Sequence, residues 1–333
     1  MIELNRLIPL RLTEPGTALL LCLLLLFHAV AVNADEANDT WRSLNVVDAD
    51  TVDWDERFSM GKHRRSKGKI LYSNEDGAML LYINFVPGWD AYLTNRHYHD
   101  FHEWGYVLEG NFMHYEFVSP AQTLGSLVRM RAGTWMSRPA YSIHANRADV
   151  MAWQKIPPAS VHLAFSSGGE TLSLDPESRR YNDTWKDVKH WTNPHIQHSA
   201  VPEEMEWETD RELPGVSIKW LSDDWQGGFR SVLRYAPPGW SHPGAPQRVY
   251  FNKAQRFYYI LYGDLKVGTA ANPGAAGQHV VVNKDYFIDQ PPKSIWGWPE
   301  GPLTENGAMW LEVTYAEGTR VGNGPIEAPV RLQ

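Results

Sequence analysis

The segment RHYHDFHEWGYVLEG, Arg96 to Gly110, holds three of the chain's thirteen histidines within six residues. His97 and His99 stand two apart. On a β-strand alternate side chains share a face, so both imidazoles are directed to one side of a sheet. Glu103 follows four residues later and offers an anionic oxygen from the next strand. A divalent first-row ion takes imidazole and carboxylate donors where thiolate is lacking. A further donor is expected from a distant strand, and AGTWMSRPAYSIHANR supplies it: Gly133 and Pro139 punctuate the segment, and His144 enters the strand beyond. His97, His99, Glu103 and His144 would leave two open positions on an octahedral metal, room for a bidentate substrate or for substrate with dioxygen or water. Asn95, two before His97, shares its face and is a candidate substrate or water contact. If Glu103 faces inward, His102 faces outward, and His102 and His114 are read as rim or surface residues.

Strands must position such a set, and the rest of the chain reads as strands. Short runs of Tyr, Val, Ile, Leu and Trp, bounded by Gly, Pro, Asn and Asp, recur after residue 35. This favours an all-β sandwich or barrel. The pattern also repeats. AMLLYINFVPGWDA (Ala78 to Ala91) is echoed by SVLRYAPPGWSH (Ser231 to His242), and EWGYVLEGNF (Glu103 to Phe112) by RFYYILYGDL (Arg256 to Leu265). Two copies of one β-unit are therefore expected, residues 35–168 and 215–333. The polar, Pro- and Glu-bearing stretch 169–214 reads as a linker, and the basic run KHRRSKGK, Lys62 to Lys69, as a solvated loop.

Composition bounds the setting. Residues 1–34 carry Arg6 and Arg11, then the fifteen-residue apolar run Ala18 to Val32, and end on Val32-Asn33-Ala34, the pattern of a cleaved secretory signal. The run is short for a membrane span, so export to the periplasm or the extracellular space is expected, without a stable membrane anchor. Cleavage would remove two Arg and two Glu and leave the net charge at −8, which excludes a basic field for nucleic acid. The single Cys22 lies in that run, so the mature chain would have no disulfide. Asn38 and Asn182 open N-x-T triplets, acceptor sites in a eukaryotic host. Fifteen Trp and fifteen Tyr serve mainly as core in a chain without disulfides. Trp135 and Tyr141, beside the expected fourth ligand, are candidates to stack on a flat substrate.

HYHDFHEWGYVLEG and GTWMSRPAYSIH together resemble the two signature motifs of the cupin superfamily, and the repeat resembles a bicupin, with two jelly-roll-like β-barrels in tandem. The wording HxHxxxEWxYxxxG is similar to that of oxalate decarboxylase-type bicupins. The resemblance implies metal ligands at His97, His99, Glu103 and His144. In the second half Tyr250, Asn252, Arg256 and Trp296 stand at or near the corresponding positions, and a guanidinium cannot ligate a metal. One metal per chain is implied, with the C-terminal cupin metal-free. Thr94 stands where the decarboxylases carry an arginine, their serine-rich lid has no counterpart, and Tyr141 replaces a motif glycine. These departures point away from oxalate toward a larger, aromatic ligand. The expectation is a secreted, single-metal oxidoreductase resembling the flavonol-type dioxygenases, acting on a small phenolic or enolic substrate, with Glu103 as ligand and base. The metal would be iron, manganese or copper, with zinc or nickel as alternatives. A decarboxylase of organic acids, a sugar isomerase, and a metal-dependent binding protein without turnover are the competing readings. Homo-oligomerisation stays open.

Overall fold

The computed structural model describes residues 41–58, 66–85, 96–145, 160–174, 176, 178–183, 198–223, 228–245, 250–251, 253–272, 275–317, 319 and 321. The expected leader with Cys22, and Asn38, Thr94, Asn95 and Asn252, lie outside these residues. Among the described residues no helix is long and apolar enough to cross a membrane.

The β-branched and aromatic runs form strands as their composition requires, and three sheets carry the fold. In the first barrel, His198–Ala200, Trp135–Arg138, Glu103–Glu109, Ser160–Ser166, Met79–Phe85 and Ser66–Ser73 lie side by side in that order. A second sheet of Thr171–Ser173, His97–His99, Ile143–Ala145, Asn111–Phe117 and Ser126–Arg131 completes it. The third sheet, of ten strands, builds the second barrel, with Tyr286–Gln290, Arg256–Ala270, Ala308–Tyr315, Phe229–Ala236 and Ser217–Ser222 in order through its centre.

The internal repeat is visible in the register. His97 pairs with His144 in the first barrel, and Tyr250 with Trp296 in the second. Glu103 lies between Arg138 and Ser166, as Arg256 lies between Gln290 and Thr314. Left-handed turn positions coincide too: Gly110 and Gly263 have φ of 73° and 75°. Glycine is required at the second of these, because a Cβ there would run into the Gly307 carbonyl. Tyr141 and Lys293, with φ of 68° and 66°, are a second matched pair, and neither is glycine.

Sheet membership departs from the domain boundaries that the sequence suggests. Asn45–Asp48, expected in the first unit, pairs with Tyr286–Asp289 of the second barrel. Two segments of the expected linker belong to the first barrel: Thr171–Ser173 pairs with His97–His99, and His198–Ala200 with Trp135–Ser137. The physical reason is that a strand edge carries unpaired backbone groups, and polar composition does not prevent a segment from supplying their partners. Nor is the basic run simply a loop. Its second half enters the strand Ser66–Ser73, where buried Lys69 donates from Nζ to the Ala49 carbonyl at 2.6 Å.

The tryptophans and tyrosines act as the expected core. Trp104, Trp135 and Phe165 of the first barrel meet Phe229, Phe257 and Tyr315 of the second in one buried cluster. Trp104 and Trp135 stack at 5.2 Å, and Trp104 Nε1 donates to the Tyr315 hydroxyl at 2.9 Å. A buried indole N–H that reaches a hydroxyl joins the barrels without leaving a polar group unsatisfied.

Candidate metal centre

Strand alternation directs His97 and His99 into the first barrel, while Tyr98 between them faces the other way and is wholly buried. Antiparallel pairing then sets His144 directly across from His97. The three imidazoles converge: one nitrogen from each lies within 4.8 Å of the others, the only such group of metal-capable side chains among the described residues. Glu103 lies beside this group, with Oε2 at 3.4 Å from His99 Nε2 and Oε1 at 3.9 Å from His144 Nε2.

The surroundings suit a cation. His144 Nδ1 lies 3.2 Å from the Ser142 carbonyl, which can only accept, so its proton sits on Nδ1 and the Nε2 lone pair is left for a ligand bond. His99 Nδ1 lies 3.0 Å from Thr171 Oγ1, a hydroxyl able to accept in the same way. Burial pushes the pKa of both rings down, His144 farther, so they are neutral as ligation demands. Burial works to raise Glu103, but the Arg138 guanidinium and the neighbouring imidazoles outweigh it and hold the carboxyl at about 2. The donor set is thus three imidazoles, two of them held neutral by burial, with an ionised carboxylate beside them, and it fits a divalent transition metal.

Beneath it lies a group of charges that the motif spacing did not reveal. Arg138 donates to Glu103 Oε1 from Nη1, to Glu116 Oε1 from Nε at 2.9 Å, and its Nη2 lies 2.7 Å from His114 Nε2. Arg138, Glu116 and His114 are all buried. The bond to Oε1 orients the carboxylate and leaves Oε2 as the oxygen for a metal. His114 is therefore interior rather than rim. His102 does face outward, but into the seam between the barrels, against Phe229 at 4.5 Å, and it is buried as well. Alternation from Trp135 could have found Arg138, since both fall on one strand three residues apart and so on opposite faces.

Two proposed substrate contacts are placed elsewhere. Trp135 is 0% exposed and packs in the inter-barrel cluster, so it is core and does not reach the histidines. The ring of Tyr141 lies 6.0 Å from that of Tyr98, on the face of the strand opposite His97 and His99. Phe101 was missed: its ring stacks on His99 at 4.4 Å with an interplanar angle of 24°.

No family model and no curated relative matches the sequence. Solved structures do. A candidate dioxygenase from Nostoc punctiforme superposes with a TM-score of 0.55 at 13% identity, over 86% of this chain and 88% of that one. Oxalate decarboxylase from Bacillus subtilis gives 0.52 at 12% identity, over 83% of this chain and 77% of that one. The fold is that of the bicupins. At such identities the likeness carries architecture, and chemistry has to be read from the residues.

In the second cupin barrel the same backbone positions carry different groups. Arg256 replaces Glu103, Tyr250 replaces His97 and Trp296 replaces His144 by register. Arg234, buried on a neighbouring strand, pairs with Asp210 at 2.7 Å and with Glu312, both buried. Tyr258, Gln290, Trp296 and Trp298 line a space of only about 10 Å³. No metal-capable group is found among the described residues of this barrel.

Proposed function

We propose that the chain is a single-metal cupin enzyme, an exported oxidoreductase of the dioxygenase type that acts on a small phenolic or enolic molecule. The convergence of His97, His99 and His144 in one barrel, with Tyr250 and Trp296 at the register of His97 and His144 in the other, carries this reading. The structural likeness to the candidate dioxygenase is consistent with it.

A divalent ion held by His97, His99, Glu103 and His144 would supply a Lewis-acid centre with positions left for substrate. The chain's own groups prepare that position. Ser142 and Thr171 fix ring orientation through Nδ1, and Arg138 fixes the glutamate. Phe101 covers one face of His99 and limits water there. A carboxyl held at about 2 is a weak proton acceptor near neutrality, so Glu103 fits the part of ligand better than that of base. Substrates that arrive already ionised, such as acidic phenols and enols, suit the site best.

The test is metal analysis of the purified chain, followed by oxygen-electrode traces against phenols, diketones and oxalate. The expected result is one tightly held ion, iron or copper, with oxygen uptake on a phenol or diketone. Manganese with carbon dioxide release would make it a decarboxylase, and zinc without turnover a binding protein. Two tight ions per chain would overturn the single-site assignment.

A further inference from the structure

A second recess lies away from the histidine cluster. A cavity of about 390 Å³ opens in the seam between the barrels, on the outer faces of their sheets. Small-molecule sites span roughly 300–1,000 Å³. Its apolar lining comes from both barrels: Leu108 from the first, Leu233, Leu261 and Met309 from the second.

Two polar groups in this lining are incompletely used. Lys219 is only 8% exposed. Its Nζ donates to the Pro202 carbonyl at 2.7 Å and lies 4.5 Å from the centre of the Trp207 ring. No carboxylate among the described residues pairs with it, and an ammonium has three protons to donate. A buried cation without a counter-ion is costly, and an anion that enters with its own apolar body relieves that cost. Tyr106 is the second group. It is 5% exposed as a residue and lines the cavity, and its hydroxyl, which makes no protein hydrogen bond among the described residues, is not one of the fully enclosed polar atoms, so it is free to donate into the cavity.

The acidic groups at the rim do not answer Lys219. Glu203 is held by Arg131 at 3.0 Å. Asp285 accepts from the Tyr259 hydroxyl at 3.0 Å and has Lys284 at 3.8 Å. Glu109 is exposed, where water screens it. The buried part of the cavity therefore carries one uncompensated positive charge.

We propose that this cavity binds a small apolar carboxylate, with its acid group on Lys219, the Tyr106 hydroxyl as a second donor, and its body against Leu233, Leu261 and the Trp207 ring. The site is independent of the metal centre and of the reading given to it. Trp207, 42% exposed at the mouth, provides the optical signal.

The experiment titrates the full chain with 3-phenylpropanoate, 3-phenylpropanol and 3-phenylpropylamine, followed by calorimetry and tryptophan fluorescence. The acid is expected to bind at one site per chain, roughly tenfold more tightly than the alcohol, with the amine weakest. Lys219→Met should erase the preference for acid over alcohol, and Leu261→Trp should block both by filling the space. Tyr106→Phe should weaken the acid by roughly threefold. His99→Ala should leave acid binding unchanged, which separates failure here from failure of the metal assignment. Equal binding of acid and amine by the unaltered chain, binding indifferent to Lys219→Met, or no saturable binding of the acid would each overturn the proposal. The acid-against-amine comparison needs no variant, so it decides even if a substituted chain does not fold.

Discussion

The two barrels share a backbone and differ in what fills it. At matched positions the first holds His97, His144, Glu103 and Arg138, and the second holds Tyr250, Trp296, Arg256 and Gln290. The first brings three imidazoles together with a carboxylate beside them. The second has aromatic residues and Arg256 at the corresponding register, and elsewhere in its core it holds a closed ion cluster, Arg234 with Asp210 and Glu312. Both barrels thus bury an arginine among carboxylates, and in the first that arginine, Arg138, also bonds the glutamate that stands beside the histidines.

The strongest way to break the comparison is to remove that arginine. Arg138→Met leaves Glu103 and Glu116 buried without their cation and should cost about 3–5 kcal/mol in urea unfolding. Arg234→Met should cost a similar amount by the same argument, but only Arg138→Met should also lower metal content. Equal metal retention in both variants would show that Arg138 does not orient the donors.

Removing the metal comes next. Ligands drawn from separate strands exist together only in the closed barrel, so an ion at a hundred times its dissociation constant adds roughly 2.7 kcal/mol. His99→Ala should abolish metal binding, whereas Arg256→Ala should leave it intact. Hydrogen exchange with a chelator should loosen amides around 97–110 and 133–145 more than those around 256–263. Uniform loosening would refute a site confined to the first barrel.

Acid should separate the barrels with opposite signs. Burial, with Arg138 nearby, lowers His162 of the first barrel from 6.5 to about 3, so the folded chain resists a proton that the unfolded chain accepts. Its contribution is complete above pH 6.5 and is lost as pH falls toward 3, at ~1.4 kcal/mol per unit. Burial raises Asp289 of the second barrel from 3.8 to about 6, against the opposing Gln255 hydrogen bond. Its contribution is complete below 3.8 and is lost as pH rises through 6. His162→Gln should flatten the acid slope of the stability curve, and Asp289→Asn should steepen it. The reverse pattern would contradict both assignments.

The smallest effect concerns the matched turns. Lys293 is exposed with φ of 66°, so Lys293→Gly should stabilise by about 0.5–1 kcal/mol through relief of strain. Tyr141→Gly should gain less, because it also gives up the packing beside Tyr98. Thermal melts of the two variants, side by side, measure the difference.

The ligand set and the repeat were legible because both depend on short-range rules. HxH on a strand fixes a shared face, and a turn that needs positive φ shows as glycine at Gly110 and Gly263. Arg138 was hidden because its partners Glu116 and His114 come from another strand, and only closure of the barrel joins them. Trp135 was misplaced for a related reason: nearness to His144 in sequence says nothing about the face that a strand presents. Strand exchange between the halves left no local mark, since an edge accepts any segment that can pair with it.

The strand Asn45–Asp48 finds its partner about 240 residues later along the chain. Synthesis runs from one end to the other, so the earliest described strand waits for nearly the whole polypeptide before its hydrogen bonds can form. Until Tyr286–Gln290 has been made, that segment is an unsheltered edge, and the loop that it must finally close is among the longest in the molecule. The order of assembly is therefore nested: the strands of the first barrel can pair while Asn45–Asp48 is still unattached, and its pairing with Tyr286–Asp289 comes late.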